Sequence, residues 1–100
     1  MSSDVSAGVD AVQAQLERHA EQLSSLGEQL AAIRATVSSA EGEVTAVVDG
    51  NGTLRELRLS GAISAMAPGK FERMVVDTAS SAARKAFAQQ EALIEAFNAR

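Results

Sequence analysis

Apolar residues recur along the first third of the chain in an unbroken alternation of threes and fours. Val5, Val9, Val12, Leu16, His19, Leu23, Leu26, Leu30, Ile33 and Val37 follow one another at spacings of 4 and 3, the signature of one helix face. As heptads, Val9, Leu16, Leu23, Leu30 and Val37 take position a, and Val12, His19, Leu26 and Ile33 position d. The pattern predicts a helix over 4–37, with Val9, Val12, Leu16, His19, Leu23, Leu26, Leu30 and Ile33 as a dimer or core seam. Asp4, Asp10, Glu17, Arg18, Glu21 and Glu28 fall on the opposite face. Flanking positions hold Gln13, Gln15, Ala20, Gln22 and Gln29, so charge pairing does not select the partner.

The period then changes from helical to alternating. Two strands are predicted, over 43–48 and 53–60, joined by Asp49-Gly50-Asn51-Gly52. Asp-Gly and Asn-Gly are strong hairpin signals because glycine takes φ > 0 without penalty. Val44, Ala46 and Val48 share one face of the first strand, and in the second Leu57 and Leu59 share a face, with Glu56 and Arg58 opposite them. A short third strand at Ser38–Glu41 is compatible with the pattern. A connector from Gly61 to Gly69 carries the sole proline, Pro68, a residue suited to the first turn of a helix. The second helix, 68–98, has an apolar stripe of Phe71, Val75, Ala79, Ala82, Ala86, Leu93 and Phe97, with Met74 and Ile94 beside it. The expected fold is α+β over a single domain, 1–100: long helix, central β-hairpin with room for a third strand, long helix.

At 1.5 Å per residue these helices would be about 50 and about 45 Å long, whereas a compact 100-residue domain has a radius of gyration of about 13 Å. They overhang any core that one hairpin can build, and an isolated hairpin is itself marginal. A second copy resolves both problems: the hairpins merge into one antiparallel sheet and the heptad seam finds a partner. A homodimer is expected.

Composition narrows the chemistry. Of 46% apolar residues, 20 are alanine, and Phe71, Phe87 and Phe97 are the only aromatics, so the core must be thin. There is no cysteine and one histidine, which leaves thiol catalysis, disulfides, multi-histidine metal sites and a Ser-His relay without material. Neither an enzyme nor a cofactor, metal or small-molecule substrate is expected. His19 reads as a polar seam residue that sets register rather than a ligand. Asp49-Gly50-Asn51-Gly52-Thr53 begins like a calcium loop, but Leu54 stands where glycine is required and Ser60 where the bidentate glutamate belongs. Gly69-Lys70 lacks the spacing and the Ser/Thr of a phosphate loop, with Phe71 in that place. The N-terminal residues lack the pattern of a secretory signal, and no apolar run approaches the roughly 20 residues that span a bilayer. The expected location is the cytoplasm.

Charge is uneven. The net charge is −4, with −3 in residues 1–37, −2 in 38–65 and +1 in 66–100. On the second helix Lys70, Arg73 and Arg84 fall on one face, with Asp77 among them and Lys85 adjacent. On charge alone, a solvated mixed face outweighs a phosphate-binding one.

The run Glu-Val-Thr-Ala-Val-Val-Asp-Gly-Asn-Gly-Thr-Leu-Arg-Glu-Leu-Arg-Leu at Glu43–Leu59, set between two long helices, resembles the YbaB/EbfC family. The resemblance implies a tweezer-shaped homodimer that binds DNA weakly and non-specifically and associates with the nucleoid. It lifts DNA binding above the mixed-face reading, with Lys70, Arg73, Arg84, Lys85, Arg55 and Arg58 as the candidate phosphate ligands. A dimeric adaptor or scaffold, for example a secretion-associated one, that holds a protein partner without binding DNA stays open beside it.

Overall fold

The computed structural model describes residues 2–99, with side chains from Ala7 onward. Five main elements follow in order: α1 (Ser2–Ala32), β1 (Ala35–Ser38), β2 (Val44–Val48), β3 (Leu54–Leu59) and, after a 3-10 turn at Gly61–Ala65, α2 (Pro68–Asn98). The strands form one antiparallel sheet in the order β1-β2-β3.

The first helix is shorter than its heptads predict. It ends at Ala32, and Ala35-Thr36-Val37-Ser38 turns into the first strand. Val37 therefore leaves the seam and pairs with Ala46 across the sheet, and the third strand lies at Ala35–Ser38 rather than at Ser38–Glu41. Two forces win over the heptad continuation. Thr36 and Val37 are β-branched and favour a pleated surface, and the sheet position buries Ala35 completely. The helix end is closed by other groups: Gly50 N–H donates to the Leu30 carbonyl at 3.0 Å, and the Arg34 guanidinium donates to the Ala31 and Ile33 carbonyls. The Leu30 carbonyl also accepts from the Ile33 N–H at 3.2 Å, so these bonds together serve the carbonyls at the helix C-terminus. Val5, the first residue of the stripe, has its side chain outside the described residues.

One face of β1 and β2 packs on α2. Ala35, Ala46, Val48, Ala82 and Ala86 form the core, with Val37, Ala79 and Ala83 against it. Alanines at 79, 82, 83 and 86 let the helix approach the sheet closely, which explains why the middle of its apolar stripe lacks large side chains. Val44 and Val48 are the largest fully buried side chains, each contributing about 1.5–3 kcal/mol by leaving water. Thr78 is the buried polar residue on α2.

The hairpin turn locks the two helices to the sheet. Asp49 is buried and accepts from the backbone N–H of Asn51 at 2.9 Å and of Thr53 at 3.0 Å. Gly52 takes φ +84°, as its place in the turn requires, and its α-carbon leaves no room for a side chain beside Phe87. Gly50 does not take a positive φ; it is needed because a Cβ there would strike the Leu30 carbonyl and come within 2.9 Å of Ile33 Cδ1. From the other side Gln90 Nε2 donates to the Gly50 carbonyl at 2.9 Å.

The molecule is long. It measures 80 × 20 × 16 Å, with a radius of gyration of 21.8 Å, far above the roughly 13 Å of a compact chain of this length. The end of α1 meets the second half of α2 along a shallow groove lined by Gln29, Ile33, Gln89 and Leu93. The remainder of α1 projects as an arm on which Val9, Val12, Leu16 and Leu23 are 49–64% exposed.

Candidate nucleic-acid interface

The strand register sorts the central side chains into two faces. Thr45 pairs with Arg58 and Val47 with Glu56, so these residues lie on the side of the sheet away from α2. Arg58 clasps Glu56 with two bonds, Nε to Oε1 at 2.8 Å and Nη2 to Oε2 at 2.9 Å. This pairing holds the Glu56 carboxyl below its ordinary range and raises Arg58. Arg55 Nε lies 3.4 Å from Asp49 Oδ2. Burial pushes the Asp49 carboxyl up, but the N–H groups of Thr53 and Asn51, followed by Arg55 and Arg34, outweigh it and leave it lowered. Together Arg34, Thr36, Val47, Arg55, Glu56 and Arg58 line an open groove of about 530 Å³.

The other predicted cations follow the opposite rim of the sheet. Lys70, Arg73, Asp77, Ser81, Arg84 and Lys85 recur at helical spacing on α2, over about 22 Å of axis. Lys85 Nζ donates to the Thr36 carbonyl at 3.2 Å, and Arg84 Nη2 to Ser81 Oγ at 3.0 Å. Lys70 and Arg73 overlook an open groove between α2 and the β1 edge. The two basic surfaces therefore meet at β1: Thr36 lines the outer groove with its side chain and receives Lys85 on its carbonyl.

Arg34 joins this band, although the heptad pattern carries the first helix through it. Extending the heptads to Val37 hid it. The period-two pattern of Ala35-Thr36-Val37-Ser38 directly after it is the signal that marks a strand start and turns Arg34 toward the sheet. With Arg34 included, seven of the nine Lys and Arg residues lie on the band. Asp10, Glu17, Glu21 and Glu28 lie exposed on the α1 arm.

The seam residues separate in the single chain. Leu26, Leu30 and Ile33 are half-buried, whereas Val9, Val12, Leu16, His19 and Leu23 are exposed. Among the described residues no cluster of three metal-ligating side chains exists, and no helix is long and apolar enough to cross a membrane.

A family model described as the YbaB/EbfC DNA-binding family matches residues 6–99. No curated protein matches the chain.

Proposed function

The chain belongs to the YbaB/EbfC DNA-binding family, a non-enzymatic family of nucleoid-associated proteins, and from that premise we propose that it acts as a homodimer on the phosphate backbone of duplex DNA. The reading takes the whole chain, 1–100, as one domain and places it at the nucleoid. The phosphate ligands are Lys70, Arg73, Arg84, Lys85, Arg55 and Arg58, with Arg34 added. The observation that supports it is the distribution of charge: the body from Arg34 to Lys85 holds seven cations against six acids, whereas the arm carries Arg18 against Asp10, Glu17, Glu21 and Glu28. Such contacts position a duplex without reading bases, so binding is nearly blind to sequence and strongly salt-dependent.

The unequal edges of the sheet support the dimer. The β1 edge is short, and Lys85 occupies its Thr36 carbonyl, a common way of closing an edge. The β3 edge is longer and open, and Leu54, Leu57 and Leu59 on it are 38–47% exposed. Pairing β3 with its copy covers that row and merges the two sheets into one. The exposed row Val9, Val12, Leu16 and Leu23 favours a second reading, an adaptor whose arms hold a protein partner.

Fluorescence anisotropy of a labelled random-sequence duplex at about 50 and about 200 mM salt tests the choice. Micromolar binding that collapses at the higher salt is expected. Absence of binding at the lower salt overturns the DNA reading for this chain and leaves the adaptor.

A further inference from the structure

We propose that the groove between the Ser38–Ser39 end of the β1 edge and the first half of α2 seats one backbone phosphodiester of DNA, an assignment that rests on the DNA-binding reading and gives it a place. The groove holds about 390 Å³ and is lined by Ser38, Ser39, Lys70, Arg73, Asp77 and Ser81, over Val37 and Met74. It is open along one side, which suits a continuous strand rather than a free nucleotide.

Three observations converge there. Lys70 and Arg73 are both exposed, and neither is in a direct ion pair among the described residues, although Lys70 feels Glu43 at longer range. Elsewhere on the band Arg55 faces Asp49, Arg58 holds Glu56, Lys85 gives one bond to the Thr36 carbonyl and Arg84 one to Ser81. Secondly, the Arg73 guanidinium folds back toward the start of α2, where its Nη1 lies 3.7 Å from the site of a Cβ on Gly69. Arg73 and Lys70 line the same groove. Thirdly, the backbone of β1 presents a donor to the same space. Ser39 N–H points inward to the Val44 carbonyl, whereas the Thr36 carbonyl points outward to Lys85. Antiparallel pairing alternates these directions, so Ser38 N–H and C=O point outward into the groove.

An ammonium, a guanidinium and a backbone N–H around one space are the donors that a phosphate oxygen takes. Asp77 at the far end repels an anion and confines it to the Lys70–Arg73 side. An acidic peptide added as a fourth strand is the other occupant this geometry brings to mind. It is disfavoured because β1 has four residues and one of its outward carbonyls is already bonded to Lys85.

The test uses the full chain and its K70Q/R73Q variant, both positions being exposed, with circular dichroism to verify the fold. Arg18→Gln on the arm controls for net charge. In duplex anisotropy the double variant is expected to bind about tenfold or more weakly, with a salt slope reduced by about 1, as one phosphate contact is lost. The amide resonances of Ser38, Ser39 and Ser81 are expected to shift on adding duplex. If the wild type binds and K70Q/R73Q keeps both affinity and slope, the groove assignment falls while DNA binding stands. If the wild type does not bind at low salt, both fall. If a poly-glutamate peptide shifts those amides and the duplex does not, the groove belongs to a peptide and the assignment is overturned.

Discussion

Gly50 shows how one residue without a side chain fixes the relation of three elements. Its N–H closes the end of α1, its carbonyl receives Gln90 from α2, and it sits in the β2–β3 turn. Gly50→Ala must displace the Leu30 carbonyl or the turn itself, so it is expected to cost about 1–3 kcal/mol, as overpacking does. Urea unfolding measures this, and an unchanged midpoint would show that the α1 junction yields freely. Asp49, its neighbour, carries the pH dependence. Its folded carboxyl lies below its ordinary value, so protons bind the unfolded chain more readily. Its stabilisation is present above about pH 4 and is lost as pH falls through the folded value. Glu43 adds to the same limb; its own backbone N–H and the Ser39 hydroxyl hold it low. Asp49→Asn keeps an acceptor for Asn51 and Thr53 but has no proton to take up. Its unfolding midpoint is expected to vary less than that of the wild type between about pH 5 and pH 2; equal acid sensitivity would remove Asp49 as a cause.

At the scale of elements, the unequal sheet edges and the exposed arm each make a separable claim about the dimer. Leu57→Lys with Leu59→Lys places charge on the β3 row, which the single chain leaves partly exposed. Light scattering is expected to report a monomer that keeps its helical circular dichroism, and a persisting dimer would move the interface elsewhere. Leu23→Asp tests the arm in the same way, because Leu23 is 49% exposed in the single chain and its loss leaves the α2–sheet body intact. What was legible beforehand followed from local pattern. The second helix matches its expected bounds, 68–98, because Pro68 starts it and no glycine or proline follows Gly69. The hairpin was legible from its turn residues and its alternation. The end of α1 was not, because Ile33 and Val37 continue a heptad that tertiary packing interrupts: the gain from burying Ala35 and pairing Val37 lies in the sheet, which a local window does not contain. Arg34 was lost from the site for the same reason.

For the whole molecule, net charge is the wrong guide to whether it binds a polyanion, since distance decides which acids oppose the phosphates. The Debye length is about 8 Å at physiological salt. Glu21 precedes Arg34 by 13 residues, roughly 20 Å along the axis if the helical rise continued, and Asp10 and Glu17 lie further out. Their repulsion of a duplex seated at β1 is largely screened. Asp77 and Glu56, by contrast, stand among the cations: Asp77 lines the groove with Lys70 and Arg73, and Glu56 engages the guanidinium of Arg58. Neutralising either removes a local repulsion, and in the case of Glu56 it also releases a cation. Asp77→Asn and Glu56→Gln are each expected to tighten duplex binding severalfold at about 150 mM salt, with E56Q also steepening the salt slope as Arg58, freed of Glu56, holds its phosphate more fully. D10N/E17Q/E21Q removes three acidic charges from the arm and is expected to change affinity less than either single substitution. Anisotropy titrations of the three variants side by side decide the matter. A larger gain from the arm variant would mean that the duplex runs along α1, and that the band around β1 is not the surface it contacts.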